Sequence, residues 1–251
     1  MDRRLYTARL LEKKLLSASS QCFHLELDVP EVESFAFEPG QFISIVAEDS
    51  RGKSQTRAYS IASAPRANQF DLCLDRVEAG FFSNQLADMA PGATIQFHGP
   101  YGLFVLRRPL ADSMLIATGT GIAPMRGFVQ SLFPSEKEDK SEGKHFCLVY
   151  GARHESEIYY RSYFEKTSAE HRNFHFLPTL DHPHEGWEGL RGTVETQVRK
   201  LLLESAIIDT RVDAKPVQAY ICGLNEMVAA NRSQLKELGW DRKQIAFERY
   251  D

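Results

Sequence analysis

Met114-Leu115-Ile116-Ala117-Thr118-Gly119-Thr120-Gly121-Ile122-Ala123-Pro124 is the stretch on which the reading of this 251-residue chain turns. The uncharged run 114–117 has the length and content of a buried strand. Two glycines follow it, and Pro124 stands where a helix begins, a place that tolerates a residue without an N–H. Glycine lets backbone approach a ligand closely, and the helix start offers free N–H groups and a partial positive charge to an anion such as a pyrophosphate. The spacing departs from G-x-G-x-x-G, with Pro124 in the last place, so the usual dinucleotide fingerprint is not met. Without a ligand the same residues make a tight strand-to-helix turn.

Downstream, apolar runs alternate with segments of helical period. Arg126 to Phe133 places Val129, Leu132 and Phe133 on one face. His145 to Tyr150 precedes Glu155 to Lys166, Asn173 to Leu177 precedes Thr193 to Ser205, and Val217 to Cys222 precedes Glu226 to Leu238. Repeated strand-helix units predict a parallel sheet covered on both faces. The charged stretch Ser135 to Lys144 reads as a solvated loop.

Upstream the period is two. Cys22 to Leu27, Phe42 to Val46 and Phe70 to Leu74 alternate apolar with other residues, and turns fall at Pro39-Gly40, Pro65, Pro91-Gly92 and Gly99-Pro100. Short strands so spaced predict an antiparallel barrel or sandwich, interrupted by one short helix over Ser83 to Met89. The texture changes across residues 106–111, which sets two domains, 1–108 and 109–251.

Composition narrows the classes. Charged residues are 25%, hydrophobic residues 43% and the net charge is −4, the make-up of an ordinary globular protein that lacks the basic field expected of a nucleic-acid or anionic-membrane partner. Cys22, Cys73, Cys147 and Cys222 share no metal-ligand spacing, and the eight histidines form no ligand or nucleophile set, so no metal is expected. The N-terminus has no signal-type apolar region and no apolar run is long enough to span a bilayer, from which a cytoplasmic protein with reduced thiols is expected.

Two further motifs lie in the β half. Arg57-Ala58-Tyr59-Ser60 places a cation, a ring and a hydroxyl within four residues, able to hold a phosphate and cover a planar group; alone they also read as an exposed Arg and a core Tyr. In Gly80-Phe81-Phe82-Ser83, Ser83 is suited to cap the short helix and open a second phosphate site.

Pro39-Gly40-Gln41-Phe42, Arg57-x-Tyr59-Ser60, Gly80-x-x-Ser83, Gly119-Thr120-Gly121-Ile122-Ala123-Pro124, Tyr150-Gly151-Ala152-Arg153 and Tyr220-Ile221-Cys222-Gly223, in family order, resemble the signature of the ferredoxin-NADP reductase superfamily over nearly the whole chain. The resemblance implies an N-terminal six-stranded antiparallel β-barrel holding FAD and a C-terminal α/β parallel-sheet domain binding NAD(P)H. By position it gives Arg57 and Ala58 to the flavin pyrophosphate region, Tyr59 to the isoalloxazine face, Ser60 to flavin N5, and Gly80, Phe82 and Ser83 to the other side of the pyrophosphate. Thr118, Gly119, Thr120, Gly121 and Pro124 would hold the coenzyme phosphates, and Cys222 and Gly223 would flank the nicotinamide, although Cys222 also reads as a small residue ending a buried strand.

The tail Phe247-Glu248-Arg249-Tyr250-Asp251 is similar to the family's acidic-plus-aromatic ending, with Tyr250 over the flavin and Glu248 in a proton or hydrogen-bond role; one residue, Asp251, follows the ring here, and a frayed terminus is the other reading. Coenzyme choice stays open. Asp181 suits a ribose 2′-hydroxyl and leans towards NADH, or is a turn residue before His182-Pro183, whereas Arg153 and Arg191 lie where NADPH-using relatives place phosphate-binding arginines. The activity implied is electron transfer from NAD(P)H through FAD to a ferredoxin or similar redox protein on a separate chain, by a monomer. The alternatives are a reductase of free flavin or small oxidants, and a non-catalytic nicotinamide-sensing flavoprotein.

Overall fold

The computed structural model describes residues 4–49, 51–204 and 217–250. The first sheet is built from β1 (Leu5–Ser17), β2 (Cys22–Asp28), β3 (Phe42–Glu48), β4 (Ser54–Ser60), β5 (Gln69–Asp75) and β6 (Thr94–Tyr101), with α1 (Phe81–Asp88) between β5 and β6. All of its pairings are antiparallel, in the order β4-β3-β6-β1-β2-β5. A bridge between Ile61, just past β4, and Leu72 joins the two edge strands and closes a barrel. The alternation read from sequence has its cause inside: Leu25, Leu27, Ile43, Ile45, Phe70, Leu72 and Phe97 share one apolar core, and Phe82 and Leu86 bring α1 onto it. Phe35, Phe70 and Phe97 meet with ring centroids 5.5 Å apart, the tilted and edge-on contacts that aromatic quadrupoles favour.

The second sheet comprises β7 (Ser113–Thr118), β8 (Phe146–Ala152), β9 (Phe174–Leu180), β10 (Leu190–Arg191), β11 (Gln218–Leu224) and β12 (Ile245–Tyr250), all parallel, in the order β10-β9-β8-β7-β11-β12. Its helices are α2 (Ile122–Leu132), α3 (Arg161–Glu170), α4 (Val194–Glu204) and α5 (Asn225–Glu237). Both faces are buried. Leu115 and Ala117 face the core with α2 and α3, Met114 and Ile116 the core with α4 and α5, which is why β7 reads as a continuous apolar run. The chain proceeds from β7 to β8 on one side and returns to β11 on the other, so the strand order reverses at β7. Open α/β sheets bind ligands at such a point, outside the carboxyl ends of the strands.

Three local expectations change. The helix expected over Glu155 to Lys166 starts only at Arg161, because Tyr160 adopts a left-handed backbone (φ 55°) that breaks it. That kink turns Ile158, Tyr159 and Tyr160 into the core facing the barrel. Ser83 is not the cap of α1: Gly80 holds that place in extended backbone, and Ser83 Oγ instead accepts the Val77 N–H at 3.1 Å. Residues 245–250 form β12 rather than a frayed end. Ser205, expected to end a helix, and Asp251 lie outside the described residues. Among the described residues no helix is long and apolar enough to cross a membrane.

Candidate functional site

A cleft of about 1910 Å³ runs between the barrel and the carboxyl ends of β7 and β11. A pocket for one small ligand has at most about 1,000 Å³, so this cleft has room for two.

On the barrel side it is lined by Arg57, Ala58, Tyr59 and Ser60 of β4 and by Gly80, Phe81, Phe82 and Ser83 at the start of α1. Edge position explains this placement: β4 pairs on one side only, with β3, leaving its other margin to the cleft. Burial pushes the Tyr59 phenol up to about 12, and the Arg57 charge partly offsets this, so Tyr59 presents a neutral ring. The start of α1 and the Arg57 cation line the same side of the cleft, a combination suited to a phosphate.

On the opposite wall Thr118, Gly119 and Thr120 line the cleft as β7 gives way to α2. Tyr150 donates its hydroxyl hydrogen to the Gly119 carbonyl at 3.0 Å, which fixes the turn. Gly121, buried behind, has no substitute: a Cβ there would lie 2.2 Å from the Cys222 carbonyl oxygen. Pro124 is buried in the first turn of α2. Gly223 lines the cleft, while Cys222 is fully buried beneath it between Ala117 and Glu248, and burial holds its thiol well above the usual range.

The two walls meet where Ser60 Oγ donates to Glu248 Oε1 at 2.5 Å. Burial raises the Glu248 carboxyl above its ordinary value, and the Ser60 hydrogen bond pulls it back. Tyr250, half-buried, lines the same corner with its hydroxyl beside Ser60 and Cys222, and burial holds that phenol well above its usual range. Thr118 Oγ1 is buried without a hydrogen-bond partner among the described residues.

At the far end Arg153, Asp181 and Glu195 line the cleft together. Partial burial, and then the negative charge of Glu195, raise the Asp181 carboxyl. Arg191 is not brought in: its guanidinium donates to the carbonyls of Trp187 at 2.5 Å and Glu185 at 3.3 Å, closing its own loop. Sequence reading missed Phe81, Glu195, Asp75 and Tyr159 as lining residues. Tyr159 donates to Asp75 Oδ1 at 3.0 Å and meets Ser20 at 2.7 Å, contacts 84 and 139 residues apart in the chain that no local spacing signals.

The family described as Oxidoreductase FAD-binding domain matches residues 7–106, and that described as Oxidoreductase NAD-binding domain matches residues 115–233. A Ferredoxin--NADP reductase B of Sorangium cellulosum is 36% identical over 98% of both chains. The chain belongs to the ferredoxin-NADP reductase superfamily. It is thus an oxidoreductase with an FAD-binding and a NAD-binding domain. The reductase component of phenol 2-monooxygenase from Pseudomonas sp. is 28% identical over 94% of this chain, which spans 62% of that protein. A ferredoxin NADP+ reductase from Neisseria gonorrhoeae, solved with FAD and NADP bound, shares the fold at a TM-score of 0.82, 22% identity and 99% coverage of each chain.

The residues present fit both groups. Arg57, the α1 start and the Tyr59 ring offer a cation, N–H donors and a planar wall on the barrel side, and the glycines at 119 and 223 leave backbone bare on the other. The Thr118 hydroxyl, on the cleft wall and without a hydrogen-bond partner among the described residues, is a polar group that a ligand can satisfy.

Proposed function

We propose that the protein oxidises NAD(P)H and delivers the electrons singly to a separate ferredoxin-like protein. FAD, when bound, supplies hydride acceptance and one-electron release. Arg57 and the first turn of α1, with Gly80, Phe82 and Ser83, bind its pyrophosphate; Ala58 leaves room beside them, and Tyr59 covers the ring. Thr118, Gly119, Thr120, Gly121 and Pro124 hold the coenzyme phosphates, and Cys222 and Gly223 floor the place where nicotinamide lies. Ser60 and Glu248 fix a hydrogen-bonded pair at the corner where the two rings must meet, and Tyr250 shields that corner from water. Asp181 and Glu195 against Arg153 decide between a ribose hydroxyl and a 2′-phosphate.

The observation that carries this reading is the Ser60–Glu248 hydrogen bond, which joins the flavin strand to the nicotinamide sheet within one cleft. Support for the acceptor comes from relatives named as a ferredoxin reductase and as the reductase component of a monooxygenase. The division into units 1–108 and 109–251, a monomeric state and a cytoplasmic location belong to the same proposal. An absorbance spectrum followed by anaerobic titration with NADH and NADPH tests it: a flavin spectrum bleached by either coenzyme is expected. A preparation that stays colourless after reconstitution with FAD would defeat it. Steady-state assays with ferredoxin and with free FMN then test the acceptor, and turnover with FMN alone would reassign the protein as a reductase of free flavin.

A further inference from the structure

Helix α2 ties together the elements behind the two walls of the cleft. It begins directly after the glycine turn, and one turn later it lies against residues 62–64, the continuation of the flavin strand past Ser60. Three contacts in sequence order set this register. Arg126 Nη1 donates to the Ala62 carbonyl at 2.6 Å. Gly127 packs so closely that a Cβ would lie 2.9 Å from the Ser63 carbonyl oxygen. The Ala64 N–H donates to Gln130 Oε1 at 2.9 Å.

Arg126 is itself tied down. The same Nη1 donates to Asp71 Oδ2 at 2.8 Å, an ion pair whose side chains are 13% and 1% exposed. Asp71 also takes a hydrogen bond from Arg66 and lies in β5, whose backbone carbonyl at that residue accepts the Ala62 N–H at 2.8 Å. The Arg126 guanidinium further covers the Tyr160 ring at 4.8 Å, and the Tyr160 hydroxyl meets His24 Nδ1 at 3.0 Å. Two acceptors thus hold Nη1, while Nε is buried without a partner among the described residues; moving the guanidinium off Asp71 would leave a charge unpaired and away from water.

We infer that Arg126 is a positioning residue: with Asp71 and Gln130 it sets the distance between the flavin strand and the coenzyme turn, and so governs the rate of hydride transfer rather than the affinity for either cofactor. The inference rests on the proposed function. Hydride transfer requires near-contact of the reacting atoms, and displacement by about 1 Å costs on the order of a hundredfold, whereas Arg57, Thr118 and Gly223 stay in place on β4, β7 and β11.

The experiment is anaerobic stopped-flow reduction of the FAD-loaded protein across a series of NADH and NADPH concentrations, which separates the limiting rate from half-saturation. In Arg126→Met, FAD content and half-saturation should stay within about twofold of wild type while the limiting rate falls about tenfold or more, and Arg126→Lys should recover part of it. Gln130→Ala leaves the buried ion pair intact and should lower the limiting rate about threefold; should Arg126→Met not fold, this variant decides alone. Wild-type limiting rates in the variants, or rate losses matched by equal losses of FAD or coenzyme affinity, would overturn the inference. A wild-type protein whose FAD neither coenzyme reduces would defeat the proposed function itself, and this inference with it.

Discussion

Ser60, the last residue of β4, donates its hydroxyl hydrogen at 2.5 Å to Glu248 of β12, 188 residues further along the chain. The bond spans the line where barrel and parallel sheet meet, and it holds a carboxyl in a place that water reaches poorly. Two opposed effects act on that carboxyl: burial raises its pKa, and the Ser60 hydroxyl lowers it, with burial the larger.

Glu248→Gln keeps an oxygen for Ser60 and removes the ionisation. Because the folded pKa lies above the unfolded value, the native protein binds a proton that the unfolded chain releases, and wild-type stability falls as pH rises through that window. The variant lacks this loss. Its Tm relative to wild type should therefore climb as pH rises above the ordinary glutamate pKa of about 4.3, followed by thermal unfolding in a pH series. A difference that does not vary with pH would show that Glu248 titrates as an ordinary exposed carboxyl.

Tyr59→Ala should weaken FAD retention. The ring is half-buried on the cleft wall, and an aromatic stacking face contributes about 1 kcal/mol or more, roughly fivefold in Kd. Equilibrium dialysis against FAD measures it; an unchanged Kd and visible spectrum would remove Tyr59 from the flavin face.

Much of this site was legible in the sequence for physical reasons that differ from residue to residue. The run 114–117 is apolar without interruption because both faces of β7 are covered, and Gly121 is dictated by contact with the Cys222 carbonyl. Such requirements fix the residue type at consecutive positions, an unbroken apolar run or a missing Cβ, so they leave a local pattern. Tyr159, Asp75, Arg126 and Glu195 left none, since their partners come from the other half of the molecule or from a distant loop. Ser83 misled for a related reason: a serine near a helix start reads as a cap, yet its hydroxyl is engaged by the Val77 N–H, and Gly80 takes the capping place. Arg191 sat at a family position for phosphate, but three carbonyls of residues 184, 185 and 187 claim its guanidinium.

Lys13→Met should destabilise the barrel through α1. The helix has no basic residue in its own last turn, and Lys13 from β1 supplies the charge by donating to the carbonyls of Ala87 at 2.6 Å and Met89 at 2.7 Å. Charged hydrogen bonds of this kind contribute about 1.5 kcal/mol or more, so Tm should fall by roughly 3 °C or more. Circular dichroism melting of FAD-loaded protein checks it, and an unmoved Tm would mean that water serves these carbonyls equally well.

Asp181→Asn should shift coenzyme preference towards NADPH whichever coenzyme the wild type prefers. Asp181 and Glu195 line one end of the cleft with Arg153, and burial first, then the Glu195 charge, raises the pKa of Asp181. A 2′-phosphate placed there meets the same repulsion, whereas a ribose hydroxyl gains an acceptor. Removing one negative charge relieves the phosphate and costs the hydroxyl a charged hydrogen bond, so both changes move the ratio in one direction. The ratio of kcat/KM for NADPH to that for NADH should rise by about tenfold, corresponding to roughly 1.4 kcal/mol. Glu195→Gln should act in the same sense but more weakly, through repulsion of the phosphate alone. An unaltered ratio in both variants would leave Asp181 as a turn residue before His182-Pro183 and place the discrimination elsewhere in the cleft.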